Sequence, residues 1–105
     1  MSNEEMTAVD PLGKTVFLLP EACAIEDNGY EIYDDATAVI QKPAFLIEVN
    51  EANTTTFYYF RSVGWNSTLL ISVGWNNNRW EAITCKRNPS SEALSGILKK
   101  GKQII

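Results

Sequence analysis

Four side chains of types that act on phosphodiesters occur in the second half of the sequence: Tyr59, Arg61, Thr84 and Lys86. An arginine can hold a phosphate through two parallel hydrogen bonds and stabilise the added charge of its transition state, while a lysine supplies a point charge or a proton. Hydroxyl groups orient the phosphate oxygens. The set therefore suits metal-independent cleavage of RNA, with these four as the candidate catalytic residues.

Such cleavage also requires a group that activates the ribose 2'-hydroxyl. The chain has no histidine, which is the commonest general acid and base. The remaining candidates for this role are Glu48, Glu51, Glu81, a tyrosine, or a lysine whose pKa is lowered. Because arginine and threonine occur together on many sheets, a binding surface without catalysis stays open as the alternative.

The four candidates meet only if two predicted strands, residues 57–61 and 79–87, present them on the same face of a sheet. Side chains alternate between the two faces of a strand. Ile83 and Cys85 are apolar, so we expect them to face the core and to leave Thr84 and Lys86 on the open face. If Arg61 pairs onto that face, one open sheet surface carries the whole set.

Charge is distributed unevenly along the chain, whose formal net charge is -4. Residues 1–51 carry eleven of the thirteen acidic residues: Glu4, Glu5, Asp10, Glu21, Glu26, Asp27, Glu31, Asp34, Asp35, Glu48 and Glu51. The basic residues of the C-terminal third predict a basic surface, with Arg79, Arg87, Lys99 and Lys100 as candidate binding residues. This asymmetry allows the basic part of an acidic protein to contact RNA, or the acidic part to contact a basic protein partner.

Local patterns predict a single α+β domain over residues 14–105, preceded by a flexible lead-in over residues 1–13. A helix is expected over Tyr30–Gln41, ended by Pro43, with a strand as the alternative. A second helix is expected to end at Lys100, with Ser90 or Ser91 as its N-cap. The strand-like segments are residues 15–19, 44–49, 57–61, 69–73, 79–87 and 103–105, and the three that follow residue 55 predict an antiparallel meander.

One pentapeptide, Ser-Val-Gly-Trp-Asn, occurs twice, at residues 62–66 and 72–76. We expect each copy to form a turn at one end of the middle strand of the meander. The two turns then lie at opposite edges, so Trp65 and Trp75 do not form one stacking platform.

Several classes of protein do not fit the sequence. Cys23 and Cys85 are the only cysteines, too few for a zinc site without histidine, and we expect both to be small apolar side chains. No metal or other cofactor is predicted. The chain has no apolar run of about 20 residues and its first residues do not resemble a signal peptide, so we expect no membrane contact and a cytoplasmic location.

The order of motifs resembles the phage-associated nuclease domains of the barnase, EndoU, colicin and RelE type. The similarity covers roughly residues 14–105. It is carried by Val-Phe-Leu-Leu-Pro at 16–20, Ile-Gln-Lys-Pro at 40–43, Phe-Tyr-Tyr-Phe-Arg at 57–61, Leu-Leu-Ile-Ser-Val at 69–73, Arg-Trp at 79–80 with Ile-Thr at 83–84, Pro-Ser-Ser at 89–91, and Leu-Lys-Lys-Gly-Lys at 98–102.

This resemblance implies an α+β fold with one or two helices packed on a curved antiparallel sheet of about four strands, and RNA on the open face. It also implies that Arg61 and Thr84 belong to the active site, with Lys86 and Tyr58 or Tyr59 as loose equivalents of RelE-type residues. Many members carry a histidine near the first helix, and residues 21–41 have none.

Two functions follow as expectations. The first is a small ribonuclease of a phage or toxin system, acting on RNA. The second is a non-catalytic binding or inhibitor protein, phage-borne and of the immunity or anti-defence type, whose partner is an immunity protein or a host target. The oligomeric state is left open by the sequence.

Overall fold

The computed structural model describes residues 6–19, 30–64 and 66–105, with the side chains of residues 30–34 left out. Two helices lie in this part of the chain, α1 at Tyr30–Gln41 and α2 at Ser91–Lys100. The strands are β1 Met6–Val9, β2 Thr15–Leu18, β3 Phe45–Glu51, β4 Thr54–Val63, β5 Ser67–Asn76, β6 Arg79–Arg87 and β7 Lys102–Gln103.

All the described strands form one seven-stranded sheet in the order β1-β2-β6-β5-β4-β3-β7. Strands β3 to β6 are an antiparallel meander, of which the sequence predicts the last three strands. The chain crosses from β2 to β3 at the far side of the sheet, and the meander then returns. Strand β6 therefore arrives beside β2 in the same direction, and these two strands pair in parallel.

The predicted sheet of about four antiparallel strands is wrong. The described sheet has seven strands and is mixed, because the β2–β6 pair is parallel. Two of the additional strands lie at its edges. Strand β1 forms within the segment predicted as a flexible lead-in and pairs with β2. Strand β7 pairs with β3 and overlaps the strand-like segment expected at residues 103–105.

Helix α1 covers one face of the sheet, which we call the core face. Its side chains Ala36, Val39 and Ile40 are fully buried, and their spacing places them on one side of the helix. They pack against apolar residues of the central strands, including Leu69 and Ile71. The sequence prediction of this helix is confirmed.

Helix α2 lies against the opposite face, which we call the outer face. The side chain of Ser90 accepts a hydrogen bond from the backbone N of Ala93, at 3.1 Å, so Ser90 is the N-cap, one of the two residues expected in this role. Gly101 follows the last helical residue, and its backbone N–H donates to the carbonyl oxygen of Ile97. None of the residues of α2 is buried.

Two-residue turns close two of the hairpins. Ala52 and Asn53 join β3 to β4, and Asn77 and Asn78 join β5 to β6, all with positive φ between 48° and 65°. This is the turn geometry that matches the right-handed twist of paired strands, and asparagine tolerates it well. The prediction that Trp75 lies in a turn is therefore corrected, because Trp75 is still paired within β5. Trp65 and Cys23 lie outside the described residues.

Candidate functional site

The predicted catalytic residues do not share one face of the sheet. Arg61 pairs with Leu69 and Tyr59 with Ile71, and both of these partners are fully buried on the core face. Thr84 pairs with Ser72 on the outer face, where their hydroxyl oxygens are 2.5 Å apart. The predicted open surface with all four residues is therefore wrong. The register of the meander explains this error, because it places Arg61 in line with Leu69 and Arg87, on the face opposite Thr84.

A β-bulge in β6 separately changes the position of Ile83. Ser72 pairs with Thr84, but the next residue, Val73, pairs with Ala82, so Ile83 is the extra residue of β6. A bulge shifts the alternation of side chains by one position. Ala82 and Cys85 are both buried, whereas Ile83, predicted to face the core, is 54% exposed.

Arg61 supports the end of α1. Its Nη1 donates a hydrogen bond to the carbonyl oxygen of Lys42, at 3.0 Å, just past the last helical residue. Lys86 lies on the outer face with Thr84, because it pairs with Leu70, two residues before Ser72. The arginine and the threonine are also two strands apart, a separation of about 10 Å before register is considered.

Tyr59 is in the core and has a structural partner. It is fully buried, and its hydroxyl donates a hydrogen bond to Oδ2 of Asp10 at 2.6 Å. Burial and the hydrogen bond to this carboxylate raise the pKa of Tyr59 far above its usual range. A phenol held in this way does not serve as a general base near neutral pH.

Asp10 is the centre of a buried polar network. Its Oδ2 also accepts from Nζ of Lys14 at 2.5 Å, and its Oδ1 accepts from the backbone N atoms of Leu12 and Lys14. Burial by itself raises the pKa of Asp10, but the hydrogen bonds from Lys14 and Tyr59 outweigh it, and the pKa is lowered. The carboxylate therefore stays ionised and fixes the loop between β1 and β2.

The ammonium group of Lys14 lies among aromatic rings. It is 4.0 Å from the ring centre of Phe57 and 5.5 Å from that of Trp80, distances that allow cation–π attraction. The side chain of Lys14 is only 10% exposed. Sequence reasoning missed this network, although the Pro-Leu-Gly turn that follows Asp10 was a signal that a loop returns there.

The predicted binding residues are dispersed. Arg79 donates through Nε to Glu81 at 2.7 Å, and Nη2 of Arg87 lies 3.5 Å from Oδ2 of Asp35 on the core face. Lys99 and Lys100 are exposed in the last turn of α2. No single basic surface therefore unites these four cations.

An open groove lies where β2, β5 and β6 approach the loop between β1 and β2. Its volume is about 490 Å³. The groove is lined by Leu12, Gly13, Lys14, Thr15, Phe17, Trp75, Arg79 and Trp80. We call it the tryptophan groove, and its lining combines aromatic and charged side chains.

The two tryptophans of the groove pair across adjacent strands. Trp75 is directly opposite Trp80, with ring centres 5.1 Å apart and planes at 73°. Trp80 in turn makes a T-shaped contact with Phe57, with ring centres 5.2 Å apart. This chain of edge contacts fixes the half-buried Trp80, while Trp75 remains 57% exposed. Sequence reasoning noted Trp75 but did not place it beside Trp80.

Both cations of the groove are bound by carboxylates. Lys14 pairs with Asp10, and Arg79 pairs with Glu81, a residue only 2% exposed. The hydrogen bond from Arg79 is the main reason that the pKa of Glu81 is lowered. The guanidinium of Arg79 also lies 4.2 Å from the ring centre of Phe17. The groove therefore carries aromatic surface without an excess of positive charge from these two residues.

Comparisons of the chain with protein-family models, curated proteins and solved structures gave no match. The resemblance to phage-associated nuclease domains therefore stays a prediction. Within the described residues, no helix is long and apolar enough to cross a membrane. The same part of the chain contains no group of three or more residues positioned to hold a metal ion.

Proposed function

We propose that this protein is a non-catalytic binding protein that recognises a partner protein through the tryptophan groove. One observation carries the proposal: Trp75 is 57% exposed at the groove although it lies within a paired strand. Tryptophan, together with arginine, is enriched among the residues that dominate binding energy at protein interfaces. An exposed indole held against the half-buried Trp80 is a rigid anchor of this kind.

Charge argues for a protein rather than RNA as the partner. Binding to nucleic acid depends on lysine and arginine that neutralise phosphates. In the groove, Lys14 and Arg79 are already neutralised by Asp10 and Glu81. The formal net charge of the chain is -4, which repels a polyanion and attracts a basic partner.

The partner segment we propose carries one large apolar side chain flanked by lysine or arginine. The apolar side chain packs against Trp75 and Leu12, both more than half exposed at the groove. The flanking cations match the acidic character of the chain. Such a segment buries apolar surface at the centre of the contact and keeps charge at its rim, as is usual for protein interfaces.

The ribonuclease hypothesis remains as a second candidate, and one observation favours it. Tyr58, Ser72 and Thr84 lie side by side in register across three strands on the outer face, and Lys86 lies on that face too. Hydroxyls and one cation on a single face suit a phosphate. In this arrangement Arg61 takes no part, because its side chain lies on the core face.

Selection from a random peptide library tests the binding proposal. Peptides selected on the wild-type protein should contain a large apolar residue beside lysine or arginine, and their dissociation constants should increase with salt. For these peptides, Trp75→Ala should weaken binding at least tenfold. Ile83→Ala is the matched control, because Ile83 is exposed to a similar extent but does not line the groove.

Equal binding by wild type and Trp75→Ala would contradict the proposal, as would an equal loss in Ile83→Ala. A second assay, RNA cleavage in the presence of a metal chelator, separates the two candidates. We expect no cleavage by the wild type. Cleavage that is abolished by Thr84→Ala and Lys86→Ala but retained by Trp75→Ala would favour the ribonuclease instead.

A further inference from the structure

A small apolar cavity lies between helix α2 and the outer face of the sheet, away from the tryptophan groove. Its volume is about 70 Å³. The sheet contributes Phe45, Ile47, Phe60 and Leu70, and the helix contributes Leu94, Ile97 and Leu98. All of these lining residues are apolar. A water molecule needs two to four polar partners, so the cavity does not suit water.

The chain is hydrogen-bonded to the sheet both before and after α2. Before the helix, the backbone N of Asn88 donates to the carbonyl oxygen of Thr68, and Oδ1 of Asn88 accepts from the backbone N of Thr68, both at 2.9 Å. After the helix, β7 pairs with β3, and the backbone N of Ile104 donates to the carbonyl oxygen of Leu46 at 2.7 Å.

Gly101 shows how closely the C-terminal end of α2 approaches the sheet. A Cβ atom at this position would be 2.4 Å from Cγ2 of Ile47 and 2.9 Å from the carbonyl oxygen of Glu48. The helix end is thus in close contact with β3, whereas no residue of the helix itself is buried. The residue after the helix therefore contacts β3 closely, whereas a cavity separates part of the helix from the sheet.

Two of the apolar side chains that line the cavity are also exposed to solvent. Phe45 is 43% exposed and Leu98 is 48% exposed, and both line the cavity. The ring of Phe45 is supported by Phe60, with ring centres 6.2 Å apart. Apolar surface therefore continues from inside the cavity onto the surface of the protein.

We propose that this cavity binds the end of an unbranched alkyl chain, and that the chain leaves the protein between Phe45 and Leu98. An engineered apolar cavity of roughly 150 Å³ accepts a benzene ring. The cavity under α2 has about half that volume, so it is too small for a ring but suits the last carbon atoms of an aliphatic chain. This site is independent of the function proposed for the tryptophan groove.

Titration with 1-hexanol, followed by NMR of methyl groups, tests the proposal. We expect saturable shifts of the methyl signals of Leu70 and Ile97. The methyl signals of Ile83, which lies on the outer face but does not line the cavity, should not shift. Benzene, the size control, should bind at least fivefold more weakly than 1-hexanol.

Two variants distinguish a binding site from a packing defect. Leu94→Phe fills the cavity and should abolish the saturable shifts. Leu98→Ala removes one side of the mouth at a half-exposed position, so the protein should stay folded while binding weakens severalfold. The proposal is overturned by shifts that do not saturate, by tighter binding of benzene, or by wild-type affinity in Leu94→Phe.

Discussion

The hydroxyl group of Tyr59 donates a hydrogen bond at 2.6 Å to Oδ2 of Asp10, a residue 49 positions earlier in the chain. This contact ties the loop between β1 and β2 to the central strand β4. Tyr59 is thereby part of the packed interior, and its hydroxyl supports the wall of the tryptophan groove through Asp10 and Lys14.

Tyr59→Phe should destabilise the protein by about 1.5–3 kcal/mol, because a hydrogen bond to a buried carboxylate is lost while the ring is kept. Urea denaturation measures the free energy of unfolding. Tyr58→Phe is the matched control, since Tyr58 lies on the outer face and is only half-buried. Similar losses in the two variants would show that the contact with Asp10 contributes little.

The hydrogen-bonded pair of Asp10 and Tyr59 should make the protein less stable at both low and high pH. The pKa of Asp10 is lowered on folding, so its contribution is complete above its ordinary value of 3.8 and is lost as the pH falls through the lower folded value. In Asp10→Asn, the difference in unfolding free energy from wild type should be constant near neutral pH and shrink in acid. A difference that grows in acid would contradict the assigned direction.

The pKa of Tyr59 is raised on folding, so its contribution to stability depends on pH in the opposite direction from that of Asp10. Its contribution is complete below its ordinary value of 10.0 and declines as the pH rises above it, because the unfolded phenol ionises first. The difference between wild type and Tyr59→Phe should therefore shrink above pH 10. Absorbance of tyrosinate during the same titration reports whether Tyr59 ionises only when the protein unfolds.

Lys14→Met should destabilise the protein by about 3 kcal/mol or more, because it leaves the carboxylate of Asp10 buried without its charge partner. The double variant with Asp10→Asn should recover part of this loss, and the coupling energy measures the ion pair. Lys42→Met, at an exposed lysine, should change stability by less than about 0.5 kcal/mol.

Alanine substitutions of Gly101 and Gly74 should destabilise the protein to different extents, although each new Cβ atom would lie close to a neighbouring atom. In Gly101→Ala the new Cβ meets the backbone oxygen of Glu48, so we expect a loss of about 1–3 kcal/mol. In Gly74→Ala it meets only Cδ1 of Ile83, at 2.5 Å. Since Ile83 is exposed and can rotate, this loss should be the smaller one. Thermal unfolding of both variants gives the comparison.

Alanine substitutions of the two tryptophans should affect the free energy of unfolding to different extents. Trp80→Ala removes contacts with both Phe57 and Trp75 and should cost about 2–4 kcal/mol in stability. Trp75→Ala should cost less than about 1.5 kcal/mol, because the side chain is 57% exposed. A larger loss in Trp75→Ala would mean that this indole serves packing, which would weaken the binding proposal.

The sequence by itself determined the local elements of this protein. The spacing of Ala36, Val39 and Ile40 predicted α1, and Ser90 predicted the start of α2, because both signals depend only on residues within a few positions of each other. Short strand segments separated by turns rich in glycine and asparagine predicted the last three strands of the antiparallel meander for the same reason. Within the regular part of each strand, the alternation of side chains also predicted which residues of that strand share a face.

Only the tertiary structure decided how the faces of different strands combine. A one-residue change of register moves every side chain of a strand to the other face, and one bulge residue, Ile83, has that effect within β6. This bulge brings Trp80 opposite Trp75, whereas Arg61 and Thr84 lie on different faces because of the register in which β4, β5 and β6 pair. The contact between Tyr59 and Asp10 likewise depends on packing between distant segments, which no local pattern of residues encodes.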